Sequence, residues 1–324
     1  MKTFAIETSC DDTSCAIIEL TKNNHIEVNK LISVSQIEEH QKYVVPELAS
    51  RLHEQEVIKI LDNFGVDEIK NVNYISYTAE PLPSLLIGKS MASSLSFFLD
   101  KEKLPVNHIF GHICAIFLER NICDIKFPFV ALTASGHNDI YILEKNGKQI
   151  IIKKIGQTLD DAAGEAFDKV SRMLGPYPSW IGEKAAKKAQ DDINLPRIFM
   201  KKENWDFSFS GLKAQCSYTI KKLKEKYEFD DELLNNFCFD FQEAIIEVLA
   251  RKLLKAAKFH NISNIAICVS ANIRLSEYID SIKNKFQIEN FYKPVNTIYS
   301  TDNAAMIGAA SIILKRFDIV WLSD

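Results

Sequence analysis

The chain has 324 residues, enough for about two domains with cores of ordinary size. Hydrophobic residues make up 47% of it and charged residues 25%, a globular balance that excludes a disordered polymer. Thirty-nine basic residues against 43 acidic ones give a formal charge of −4, which excludes a uniformly basic nucleic-acid coat but not one local basic surface.

Residues 4–6 and 15–20 read as two strands around the polar turn 8–13, and residues 29–34 as a third. Pro46 opens a helical stretch in which Leu48, Leu52, Val57, Ile60 and Leu61 recur near the helical period. A short apolar strand at 73–77 leads into a loop with Pro81 and Pro83, followed by a helix of small residues at 88–99. Pro105 marks a turn before a helix that carries His108 and His112. Residues 127–133 and 139–143 are strands around the polar turn 134–138. This return repeats the layout of the N-terminus, though not its residues, and points to a duplicated plan. A helix lies within 158–174, an irregular charged segment at 191–206, a lysine-bearing helix at 212–227 and a long amphipathic helix at 237–258. A buried-type strand at 265–269 and a helix at 304–314 complete an alternation that predicts an α/β protein.

No apolar run reaches the about 20 residues of a membrane span. The first residues turn polar too soon for a secretory signal, so a cytoplasmic location is expected. Seven scattered cysteines without CxxC spacing predict neither a zinc knuckle nor a disulfide framework. Glycine is scarce: 11 residues in 324, about half the ordinary share of about 7%.

His108 and His112 lie four apart on a predicted helix and share one face, a spacing that suits two imidazoles on one cation. Ile109 stands where the HExxH metallopeptidase pattern requires glutamate, which argues against a peptidase. Gly136 lets backbone N–H groups in 133–137 approach a phosphate or carboxylate, although a plain hairpin turn would read the same. Asn272 closes a strand end, a frequent ligand position in α/β folds.

Seven stretches occur in one order: 6–13 (IETSCDDT), 45–53 (VPELASRLH), His108-x-x-x-His112, 135–137 (SGH), 160–169 (DDAAGEAFDK), 207–213 (FSFSGLK) and 302–307 (DNAAMI). Together they resemble the bacterial family of tRNA threonylcarbamoyladenosine transferases, formerly described as sialoglycoprotein endopeptidases. The resemblance implies an actin-like (ASKHA) α/β fold of two related domains with a cleft between them. The first would be 1–127, joined by a returning helix at 303–324, and the second 128–302, with a lysine-rich helical insertion at 184–227. It also implies an acyltransferase-type enzyme that moves the threonylcarbamoyl group from threonylcarbamoyl-AMP to N6 of adenosine 37 in tRNAs reading codons that begin with A.

The implied cofactor is one divalent metal, iron, with Zn2+ or Mg2+ as alternatives, held by His108, His112 and Asp302. The implied adenylate site comprises Thr133, Ala134, Ser135, Gly136, His137, Asp168, Trp180, Gly182 and Asn272. Ser9 and Asp12 are the candidate catalytic groups of the cleft, where an Asx-type turn is the plain alternative. The implied partners are tRNA, an inactive paralogous subunit and a small ATPase. Lys201, Lys202 and Lys213 are candidate tRNA contacts, though on charge alone an ordinary solvated surface reads equally well.

The missing glycines have addresses. A Thr-x-Gly-Pro-Gly-Leu loop of the family becomes 78–83 (TAEPLP), and Glu80 brings negative charge where anionic ligands are expected. A glycine pair after the Asp168 motif becomes Ser179-Trp180, whose indole either stacks on adenine or blocks the ribose. Two glycines before Asn272 become Ile267-Cys268. Two expectations compete: a working transferase with a reshaped pocket, or an impaired paralogue acting as a scaffold subunit. The retained His108, His112, Asp168, Asn272 and Asp302 favour the first.

Overall fold

The computed structural model describes residues 1–9, 12–36, 46–80, 83–134, 137–174, 180–186, 193–198, 204–226, 230–269 and 273–322. Strands β1 (Lys2–Glu7), β2 (Asp12–Leu20) and β3 (His25–Ser35) form an antiparallel meander. Helices α1 (Pro46–Leu61) and α2 (Val66–Lys70) precede β4 (Tyr74–Thr78), which adds to β1 in parallel. Helix α3 (Leu85–Leu99) then leads to β5 (Glu102–Val106), parallel to β4. Helix α4 (His108–Cys114) and the short β6 (Arg120–Asn121) complete a sheet of order β5-β4-β1-β2-β3-β6.

The second unit repeats this order. Strands β7 (Phe129–Ala134), β8 (Asn138–Asn146) and β9 (Gln149–Gly156) form its meander. Helices α5 (Ala163–Leu174), α6 (Trp180–Ala186), α7 (Ser210–Lys226) and α8 (Asp231–Phe259) lead to β10 (Asn264–Val269), parallel to β7. Helix α9 (Ile273–Ile282) precedes β11 (Asn290–Tyr292), parallel to β10. Helix α10 (Ala304–Arg316) and β12 (Asp318–Leu322) end the chain, and the sheet order is β11-β10-β7-β8-β9-β12. The two orders correspond strand for strand, β1 with β7 through β5 with β11, so the duplicated plan is topological.

Strand side chains alternate between two cores. Phe4 and Ile6 of β1 face the core under α1 and α3, whereas Ala5 faces the opposite core. In β7, Val130 and Leu132 face the core under α8, and Phe129 and Ala131 face away from it. Burial on both faces is why these strands read as unbroken apolar runs. The core between the sheets holds Phe110 and Ile113 of α4 and Met306 and Ala310 of α10, together with Ile18 of β2 and Cys268 of β10. Helices α4 and α10 thus form a central layer between the two sheets.

Several elements differ from the sequence expectation. Pro105 lies inside β5, opposite Tyr77, rather than in a turn; β5 is an edge strand, where a missing N–H leaves no ladder partner unsatisfied. Helix α8 starts earlier than its apolar pattern because Asp230 accepts from Leu233 N at 2.8 Å and caps it. Segment 303–324 does not return wholly to the first unit: α10 packs on Ala5 and Ile18, but β12 pairs with β9 of the second sheet. Among the described residues no helix is long and apolar enough to cross a membrane.

Candidate metal centre

Asn107 caps α4 by accepting from Phe110 N at 2.9 Å, so His108 is the first residue of the helix and His112 lies one turn on. Asp302 stands just before α10. The cap of that helix, Asn303, accepts from Met306 N at 3.1 Å and donates to Thr301 O at 2.6 Å, which fixes the loop presenting Asp302. The two helices approach closely at Gly111, where a Cβ would stand 2.8 Å from Ile307 Cδ1.

This packing brings His108, His112 and Asp302 together, with one ligand atom from each within 4.8 Å of the others. His112 Nε2 is 3.1 Å from His108 Nε2 and 3.0 Å from Asp302 Oδ1, and His108 Nε2 is 3.5 Å from that oxygen. Ligand atoms about 2.1 Å from one cation stand about 3.0 Å apart on an octahedral edge and about 3.4 Å apart on a tetrahedral one. The three measured edges fall close to that range, and two imidazole nitrogens facing each other beside a carboxylate have no better common partner than a cation. The cluster is a site for a divalent metal.

The surrounding groups hold the ligands in that state. Ser9 Oγ donates to Asp302 Oδ2 at 3.2 Å. Glu7, fully buried at the end of β1, accepts from Ser9 N at 2.7 Å and from Thr78 Oγ1 at 2.5 Å. Its Oε2 lies 3.4 Å from His108 Nδ1, so a buried carboxylate faces the ring nitrogen opposite the one nearest His112 and Asp302. Burial opposes charging His108, but Glu7, Asp302 and Glu80 outweigh it and push the imidazole up to about 9. Burial likewise opposes ionising Asp302, yet His112, His108 and Ser9 hold its carboxyl well below the usual carboxylate range. A pocket that stabilises a proton this strongly stabilises a metal cation for the same reason.

The motifs 160–169 and 207–213, separate in sequence, form one unit. Phe207 N donates to Gln157 O at 2.7 Å and Leu159 N donates to Phe207 O at 2.8 Å. Asp160 accepts from Phe209 N at 3.0 Å, Ser208 Oγ at 2.6 Å and Ser210 Oγ at 2.5 Å, anchoring the start of α7. Partial burial opposes its ionisation, but these hydrogen bonds outweigh it and hold the Asp160 carboxyl below its ordinary value. A depressed folded-state pKa adds stability above the unfolded pKa and loses it as pH falls through the folded one. Asp160→Ala removes these acceptors at an exposed helix start and should cost about 1 kcal/mol in denaturant unfolding near neutral pH. The difference from wild type should shrink in acid; a pH-independent difference would assign it to packing instead.

The other predicted residues are distributed as follows. Ser9 supports a metal ligand, and Asp12 opens β2 with its N–H donating to Ser9 O at 3.2 Å. Thr133 and Ala134 are buried at the end of β7, His137 is exposed just before β8, and Asp168 is half-buried on α5. Trp180 and Gly182 lie in α6, and their side-chain environments are outside the described residues, as are Ser135, Gly136, Asn272, Lys201 and Lys202. Lys213 is paired with Asp161 at 2.5 Å, which ties α7 to the 160–169 motif. Ile267 and Cys268 are buried in β10 and face opposite cores, as expected for the strand read at 265–269. Sequence reasoning missed the roles of Glu7 and Glu80. A carboxylate closing a strand that is otherwise apolar on both faces was the available signal for Glu7.

The family profile of tRNA N6-adenosine threonylcarbamoyltransferase matches residues 27–309. A relative of that name from Kosmotoga olearia is 39% identical over 320 residues, covering 95% of this chain and 91% of its own. Another, from Mycoplasma capricolum, is 38% identical over 332 residues, covering 98% and 99%. Among solved structures, HypF from T. kodakarensis matches with a TM-score of 0.57 at 12% identity, over 96% of this chain and 47% of its own. Full-length HypF in its phosphate- and nucleotide-bound form matches at 0.59 and 10% identity, over 97% and 46%. At such identities the likeness speaks for the fold alone, and it agrees with the two-unit actin-like architecture. The profile match, and relatives similar along nearly the whole length, show that the chain belongs to the tRNA N6-adenosine threonylcarbamoyltransferase family.

Proposed function

We propose that the chain transfers the threonylcarbamoyl group from threonylcarbamoyl-AMP to N6 of adenosine 37 in tRNAs reading codons that begin with A. The observation that carries this reading, given the family, is the closure of His108, His112 and Asp302 into one ligand set. N6 of adenine is a weak nucleophile because its lone pair is delocalised into the ring. When bound, a divalent cation supplies Lewis-acid polarisation of the carbamoyl carbonyl. The chain's own residues prepare that event. Ser9 orients Asp302, Glu7 sets a negative charge beside the His108 ring, and the caps of α4 and α10 hold the ligands in register. The AMP leaving group is already a weak base and needs little acid assistance.

Two imidazoles and one carboxylate are the donor set of non-haem Fe2+ centres, which supports iron; Zn2+ accepts the same donors, and Mg2+ prefers oxygen alone. Division of the chain near 127/128, the adenylate contacts of residues 133–137, 168, 180, 182 and 272, and tRNA contacts at Lys201, Lys202 and Lys213 belong to the same proposal. So do a cytoplasmic setting, an inactive paralogous subunit and a small ATPase. The scaffold alternative has no observation in its favour.

Reconstitution with a threonylcarbamoyl-AMP synthase, the partner subunits, threonine, bicarbonate and ATP tests the reading. Mass analysis of the tRNA nucleosides should show threonylcarbamoyladenosine. Unmodified adenosine from folded, metal-loaded protein would overturn it.

A further inference from the structure

Glu80 lies in the loop after β4, where the sequence suggested a charge hostile to an anionic ligand. The structure gives that charge another occupation. Glu80 Oε1 accepts from the backbone N of His108 at 3.2 Å and from Asn107 Nδ2 at 3.3 Å. The other amide atom of Asn107 accepts from Phe110 N at 2.9 Å. One carboxylate oxygen therefore ties both the cap of α4 and its first residue.

That first residue is a metal ligand. The opening N–H groups of a helix have no partner within it, and a helix of two turns frays unless tertiary contacts hold it. His108 sits where fraying begins, whereas His112 is buried one turn on. A loose first turn would let the two Nε2 atoms drift from the 3.1 Å separation that one cation bridges. We infer that Glu80 is a positioning residue for the metal centre, its carboxylate locking the first turn of α4 so that His108 and His112 keep a common bite. The carboxylate also faces the positive end of the helix, so part of its charge is engaged there. This inference rests on the metal centre and on no step of the tRNA reaction.

Co2+ titration of the full chain, followed by visible absorption, tests it with Glu80→Gly and Glu80→Gln. The glycine variant should bind Co2+ about tenfold more weakly and show an altered ligand-field band, with the metal-free protein unfolding at the wild-type temperature. The glutamine variant keeps an acceptor oxygen and should restore the band and an affinity within about threefold of wild type. Wild-type affinity and spectrum in Glu80→Gly would overturn the inference. Glutamine as weak as glycine would overturn it too, by assigning the effect to charge alone. If wild-type enzyme fails to modify tRNA while these Co2+ results hold, the proposed function falls and this inference stands.

Discussion

Asp302→Ala should abolish metal uptake and threonylcarbamoyl transfer together. Asp302 supplies the one oxygen of the ligand set, 3.0 Å from His112 Nε2 and 3.5 Å from His108 Nε2. Without it two imidazoles remain, and the charge that offsets the cation in a partly buried site is gone. Loss of an outer partner of a metal ligand costs about 10–100-fold in affinity, so loss of the ligand itself should cost at least about 100-fold. Removal of one group that stabilises the developing charge lowers turnover by about 10²–10³-fold, and here the whole polarising site goes. The fold should survive, because Asn303 holds the loop through Met306 N, Thr301 O and Ile298 O without help from Asp302. Equilibrium dialysis with metal analysis, nucleoside mass analysis and a thermal melt check the three parts. Normal turnover by a metal-free variant would remove the metal from the reaction.

The parts of this site that were legible in the sequence are those with a short-range signal. Helical spacing puts His108 and His112 on one face, which is compatible with a metal, and the family motif made it the expected reading. Asp302 is far along the chain and became visible only through its motif, because the contact between α4 and α10 that delivers it is made by Gly111 and Ile307, and neither carries a chemical signal of its own. The partners of Glu80 were hidden for the same reason. They lie 27 and 28 residues on, across β5, and a negative charge in a loop shows nothing of the helix start it meets. The opening hairpin of each unit and the doubled plan were legible because β1, β2, β7 and the first part of β8 are buried on both faces, whereas β9, with exposed polar residues, was not. Strands β11 and β12 were not: one has three residues and the other is a partly exposed edge, so neither carries a strong pattern. Two of the positions where glycine is missing have a packing or hydrogen-bonding role. Ile267 and Cys268 fill cores on both faces of β10, and Glu80 is bound to α4.

In α10 the packing leaves no room for a side chain at Gly308. A Cβ on Gly308 would stand 2.3 Å from Ile18 Cγ1, 3.0 Å from Ile18 Cβ and 3.4 Å from Ala5 Cβ. Ile18 is fully buried in β2 and branched at Cβ, so it has no free rotamer into which to withdraw. Gly308→Ala gains about 1 kcal/mol of helix propensity, which offsets part of the overlap. Gly308→Val gains less and adds two more carbons, so it should destabilise by about 3 kcal/mol and lower the melting temperature by roughly 5–10 °C. The site should feel the displacement as well. Helix α10 is bounded by Ile18 on one side and by Gly111 of α4 on another, and Asp302 sits at its head. A helix lifted off β2 therefore moves the carboxylate relative to both histidines, and Co2+ affinity should fall along with stability. Gly111→Ala offers the contrast, because its nearest obstacle is the terminal methyl of Ile307, which can swing aside. It should cost less than Gly308→Val in a thermal melt. Equal melting of Gly308→Val and wild type would show that α10 is not seated against β2 through that residue.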